Sequence, residues 1–268
     1  MGKVVDIELF LSYHYSIIWP KSKMNSPQKK RIWLPDFIRG IAIIMVVTYH
    51  MIFNLNYFYG FKNLKYYEGF WLIEGRTAAI LFMGMVGVVS AIIYQQKGFK
   101  AAVKINAKRG LRLFLIGMML TLITWLLFGK DAIWFGILHL MGTSILLSLP
   151  LLHYRWFNLV LGLMIISFGN TLHGMTGSSI FWIPLGLPTP TFSSFDYYPL
   201  IPWSGVILVG LGLGNLLYQP DGLAGKKFAQ LSSPRPWQNL FVHLGKNSLW
   251  IYLFHQPIFL GILWMLFN

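Results

Sequence analysis

The chain has 268 residues, 56% of them hydrophobic, with 22 Lys plus Arg against 8 Asp plus Glu, a formal net charge of +14 and no Cys. Its apolar residues come in membrane-length blocks instead of alternating through a soluble core, which is the composition of an integral membrane protein. Basic clusters placed between those blocks argue for membrane topology and against nucleic-acid binding; the lack of Cys excludes disulfides, Cys-ligated metal and a Cys-linked acyl intermediate.

Residues 1–31 form an expected cytoplasmic or interfacial leader. Asp6 and Glu8 interrupt the start, the apolar stretch 9–19 is short, and no small-residue cleavage site follows. Residues 32–268 are expected to form one transmembrane domain. Its first spanning helix covers 35–56, with Asp36 able to cap it and Arg39 one turn further on, placed to pair, to hold a polar ligand or to anchor at the headgroups. At about 1.5 Å per residue, His50 lies about 21 Å beyond Asp36, against a hydrocarbon core of about 30 Å. An ionisable group at that depth is costly unless it faces protein or water, so it marks a candidate functional site.

The second helix is expected over 71–94. Counting down from the same membrane boundary puts Arg76 about 7 Å deep and His50 about 9 Å deep, with Glu74 just above. Gly84, Gly87 and Ser90 supply a small-residue stripe. Lys97, Lys100, Lys104, Lys108, Arg109 and Arg112 have helical spacing and suggest a basic surface helix ahead of a third span at 112–128; they retain this side inside, or attract an anionic nucleotide. The fourth helix, 132–152, carries His139 about 10 Å below the outer side, as a site residue or as a hydrogen-bonded structural histidine. A fifth starts near Trp156 and is apolar only to Phe168, which is short for a span. Residues 175–198 are rich in Pro and aromatics and lack Lys and Arg, which suits an ordered loop folded over the bundle; Asp196, its one charge, binds an acceptor or caps the next helix. The sixth helix, 199–218, carries Gly205, Gly210, Gly212 and Gly214 for close packing. The seventh, 247–267, has Ser248, Tyr252, His255 and Gln256 as polar points and a Pro257 kink beside His255, which the arithmetic puts deeper than His50.

The fold expected is therefore an all-α polytopic bundle of about seven transmembrane helices. With the amino terminus cytoplasmic, only Lys62, Lys65, Arg76 and Lys130 fall outside.

The ordered segments LPDFIRGIAIIMVVTYHMIFNLNYF, GRTAAILFMGMVGVVSAI, RGLRLFLIG, FGILHLMGTSILLSLPLL and LGKNSLWIYLFHQPI resemble the prokaryotic membrane proteins related to the catalytic domain of heparan-alpha-glucosaminide N-acetyltransferase. More distantly, the Arg-Gly helix start with His50 near its far end is similar to membrane O-acyltransferases that decorate surface polysaccharides. The resemblance implies a multi-pass acyltransferase of the plasma membrane that takes cytoplasmic acetyl-CoA, or another acyl-CoA, and modifies an extracytoplasmic acceptor, commonly a sugar or glycan. In the lysosomal relatives the histidine tied to acetyl transfer follows the first conserved helix. Residues 57–70 contain no histidine here and His50 lies upstream, which points to direct transfer.

On that basis His50 is the expected general base, Arg76 the group for an oxyanion or acceptor, and Glu74 an orienting acid. Arg39, Lys108, Arg109 and Arg112 are the candidates for CoA phosphates, and His255 lines the acyl or pantetheine path. Asp36, His139 and Asp196 are the candidates for substrate contact. Acyl-CoA carries the activated group, so no metal is expected, and a homodimer is left open. The rival from another class is a transporter or channel for a small anion or sugar, since intramembrane His and Arg also mark permeation paths, though no inverted repeat is evident.

Overall fold

The structure, a computed structural model, describes residues 32–172, 174–219 and 233–267. The leader expected over 1–31 lies outside the described residues. The helices run α1 (Leu34–Tyr57), α2 (Gly69–Lys97), α3 (Phe99–Phe128), α4 (Ile137–Leu147), α5 (Arg155–Leu172), α6 (Leu200–Leu217), α7 (Pro236–Lys246) and α8 (Ser248–Phe267). Short 3-10 turns lie at Gly129–Asp131, Leu149–Leu151 and Ile180–Leu185. Among the described residues the only bridge outside helices pairs Phe135 with Tyr197 in parallel.

The all-α, multi-pass architecture holds, but the expected count of seven spans does not. Among the described residues, five helices are long and apolar enough to cross a membrane: α1, α2, α3 with its 3-10 extension, α6 and α8. The expected fourth span shrinks to α4, with 11 residues. At about 1.5 Å per residue that is roughly 16 Å, half of a hydrocarbon core of about 30 Å. Its start is delayed because the chain stays extended through Gly136, and it ends in the 3-10 turn around Pro150. The expected fifth span, α5, reaches 18 residues but is diluted by Arg155, Asn158 and Asn170.

Two further elements differ from expectation. The basic segment and the third span are one continuous helix, α3, because no breaker separates them; the break falls instead at Gly98, whose φ of 76° favours glycine. The stretch after α6 holds an unanticipated amphipathic helix, α7, with Pro236 in its first turn and Gln238 Oε1 accepting from the Arg235 amide at 2.7 Å.

Small residues let these helices meet backbone to backbone. The glycine stripe of α2 faces that of α6: a Cβ at Gly87 would strike the carbonyl of Ile207, and one at Gly210 the carbonyl of Gly84. On the other side, α7 lies against the start of α1, with Gly40 on the Phe241 backbone and Gly245 on the Asp36 carbonyl. Phe37, Trp237 and Phe241 seal that seam edge to face. The main core sits between α1, α2, α4 and α6, around Ile43, Met83, Leu140, Ile145 and Ile207. Polar ties cross the bundle as well: Asn215 donates to the Leu152 carbonyl at 2.8 Å and accepts from Gln95 at 3.1 Å. This scaffold brings the faces of α1, α2, α3 and α8 together.

Candidate functional site

Helix α8 carries Ser248, Tyr252 and His255 at spacings of four and three, so the three side chains share one face. Each makes a contact across the bundle. Ser248 Oγ accepts a hydrogen bond from Arg39 of α1 at 2.7 Å. Tyr252 OH donates to Asp196 Oδ2 at 3.3 Å. The His255 ring lies 4.8 Å from that of His50 on α1, with the planes 64° apart. One turn on, Asn54 donates to Gln256 at 2.9 Å, which fixes the register of α1 against α8.

The two histidines carry the same tautomer. His50 Nδ1 lies 2.8 Å from the Val46 carbonyl oxygen, and His255 Nδ1 lies 2.6 Å from that of Tyr252. A carbonyl only accepts, so in each neutral ring Nδ1 holds the proton and Nε2 keeps the lone pair. His255 is 7% exposed and its Nε2 is buried without a partner. Two basic nitrogens therefore belong to one contact. This corrects the expectation that His255 lies several ångströms too deep to share the level of His50. Counted back from Phe267, His255 is about 18 Å into α8, but α8 runs past the end of α1 on that side, where Phe267 packs against Tyr59 and Phe61.

The Tyr49 ring, next to His50, packs where a Cβ on Gly75 would sit, 2.6 Å from the ring. Glu74 and Arg76, flanking Gly75, are thus held beside the C-terminal half of α1. Arg76 is exposed, and Glu74 Oε2 is buried without a partner.

Asp196 Oδ2 accepts from the Ile137 amide at 3.0 Å as well as from Tyr252. The carboxylate therefore caps α4, whose start lies 59 residues earlier in the chain, and not the helix that follows. Burial pushes its carboxyl up to about 6, against the opposing pull of these two hydrogen bonds. The cross-link is reinforced where Tyr198 N–H donates to the Phe135 carbonyl at 2.9 Å and Phe195 N–H to that of Asp131 at 3.1 Å.

Toward the basic end of the helices a cavity of about 160 Å³ is lined by Arg39, Arg109 and Arg112, with apolar walls from Val46, Phe82, Leu138 and Met141 among others, and with Tyr252. Arg39 lies over the Phe82 ring at 5.7 Å. Arg109 points into the bundle, donating to Ser90 Oγ at 3.2 Å, Asn106 Oδ1 at 3.3 Å and the Val86 carbonyl at 3.4 Å. Three of the four cations singled out for phosphate meet here; Lys108 is exposed on α3 and does not line the cavity.

The remaining candidates lie apart. His139 is 1% exposed between the rings of Phe114 and Phe135. Its Nδ1 accepts from the Gly136 amide at 3.2 Å and its Nε2 meets Thr121 Oγ1 at 3.3 Å, so both ring nitrogens are engaged in holding the start of α4. Asp36 is buried in the first turn of α1, whose N-cap is Trp33, where its carbonyl meets Gly245. Tyr252 and Ser248 carry no role expected from sequence, although their spacing to His255 is legible there. Among the described residues no cluster of three or more His, Asp or Glu side chains forms.

Neither a curated protein nor a solved structure matches the chain. The sequence profile described as heparan-alpha-glucosaminide N-acetyltransferase, catalytic, matches residues 31–257. That stretch takes in α1 to α7 and α8 as far as its proline, hence both histidines and all three cavity arginines. The chain belongs to the heparan-alpha-glucosaminide N-acetyltransferase catalytic family.

Proposed function

We propose that the protein transfers an acetyl or other short acyl group from cytoplasmic acyl-CoA to an extracytoplasmic sugar or glycan in a prokaryotic plasma membrane, with His50 as general base. The observation that carries this reading is the joining of two features by one residue: Tyr252 lines the arginine cavity, and its carbonyl holds His255 against His50. A donor whose polar part is held by Arg39, Arg109 and Arg112 extends its narrow acyl end toward the imidazoles. Arginine suits this task because its planar fork binds phosphate and carbonyl oxygens with several donors.

In the proposed step the acceptor O–H or N–H gives its proton to His50 Nε2 while its oxygen or nitrogen bonds to the acyl carbon. Negative charge develops on the carbonyl oxygen, with Arg76 as its stabilising cation and Glu74 orienting the acceptor. The C–S bond then breaks, and the leaving CoA thiolate takes up the proton held by His50. No covalent acyl-protein is formed. His255, fixed as the same tautomer, packs against His50 and keeps its ring in place. The basic face, with Lys108, lies on the cytoplasmic side, where it attracts the nucleotide part of the donor.

The test is incubation of purified protein with radiolabelled acetyl-CoA and a panel of extracted cell-surface glycans. Label should pass to at least one glycan and none should stay on the protein when acceptor is omitted. Acetyl-CoA consumption with no labelled glycan, or stable label on His50, would contradict direct transfer to a glycan.

A further inference from the structure

A second cavity, of about 360 Å³, lies at the end of the bundle opposite the basic cluster. One wall is the turn between α3 and α4, with Lys130, Trp134 and Phe135; the other is the long loop, with Thr189, Thr191 and Phe192. The loop is tied down by its backbone and by a serine. Trp134 N–H donates to Ser194 Oγ at 3.3 Å, Ser194 Oγ donates to the Ala132 carbonyl at 2.9 Å, and Tyr197 OH donates to the Ile183 carbonyl at 2.7 Å. Trp134 itself is oriented by its indole N–H on the Lys130 carbonyl at 3.0 Å, and it remains 41% exposed.

The lining has a specific chemistry. Flat aromatic faces carry negative π density and attract the weakly positive C–H edge of a saturated ring. Short hydroxyl side chains and an ammonium group exchange hydrogen bonds with ring hydroxyls. A lipid chain would gain nothing from Thr189, Thr191 and Lys130, and a volume near 360 Å³ falls within the range of about 300 to 1000 Å³ usual for small-ligand sites. The cavity is also positioned to cooperate with the first one. Phe135 lines this cavity and Ile137 lines the arginine cavity, and the Asp196 carboxylate holds the segment between them.

We infer that this cavity binds a pyranose ring, stacked on Trp134 and held by Thr189, Thr191 and Lys130, as an anchoring subsite for a sugar of the acceptor that does not itself react. The inference rests on the glycan-acceptor reading for its purpose, but sugar binding there is measurable without any acyl transfer.

The test is saturation-transfer NMR on the full chain in a sugar-free amphipol, with methyl glucoside and methyl N-acetylglucosaminide as probes. At least one probe should receive saturation from the wild-type protein. Trp134→Ala should lose at least about three-quarters of that signal, and Trp134→Phe, which keeps a stacking face, should retain most of it. Thr191→Val, which removes only a hydroxyl, should weaken binding several-fold. No saturation with either probe, or full signal in Trp134→Ala, would overturn the subsite. Sugar binding without acyl transfer would instead contradict the acyltransferase reading and leave this site standing.

Discussion

A histidine inside an apolar helix is retained against a desolvation cost, so what its two nitrogens touch decides what it is for. His139 spends both on the start of α4, whereas His50 and His255 each commit Nδ1 to a carbonyl of their own helix. Asp196 is the other ionisable group of consequence, since burial holds its carboxyl up at about 6, above its ordinary value of 3.8. A raised acid favours folding only while protonated: its stabilising contribution is full below about pH 4 and is lost as pH rises through about 6. Thermal unfolding of wild type and Asp196→Asn from pH 4 to 8 should therefore show wild type losing stability relative to the variant up to about pH 6 to 7 and little further change above. A difference that stays constant across that range would contradict the assignment.

Helix pairing is governed by the small residues, and here the sequence was informative. Gly84, Gly87, Gly205 and Gly210 announced close approach: α2 and α6 meet through Gly84, Gly87 and Gly210, while Gly205 meets the Gly162 backbone of α5. Gly87→Ala should lower stability by about 1 to 3 kcal/mol, because its Cβ would meet the backbone carbonyl of Ile207, which cannot swing aside as a side chain can. Unfolding in detergent measures this, and an unchanged midpoint would mean the helices can separate at no cost. Other elements were illegible for identifiable reasons. Nothing local marks the extended stretch before α4, since Asp196, 59 residues away, is what holds it. Apolar content over 132–152 therefore suggested a span where an 11-residue helix stands. The depth of His255 is not legible because nothing local shows that α8 outlasts α1, with Phe267 packing beyond its end on Tyr59 and Phe61. Arg109 was legible as a cation near a membrane face, but its inward turn depends on Ser90 and Asn106. The face of α8 shared by Ser248, Tyr252 and His255 was available from spacing alone.

At the scale of the molecule, the arginine cavity, the histidine pair and the aromatic cavity succeed one another from the basic end to the other, which suits a donor and an acceptor arriving from opposite sides. The proposed orientation is directly measurable because the chain has no native Cys. In intact cells a membrane-impermeant maleimide should label Ser193→Cys, in the long loop, and should reach Lys100→Cys, at the basic end, only after lysis. The reverse pattern would invert the topology and with it the donor side. The central claim, that His50 accepts the proton in direct acyl transfer, is tested most directly by the turnover of His50→Gln, since Gln keeps hydrogen-bonding capacity but does not titrate near neutral pH. This variant should bind acetyl-CoA as wild type does and lose roughly 10² to 10⁴ in turnover; near-normal turnover with intact binding would contradict the account.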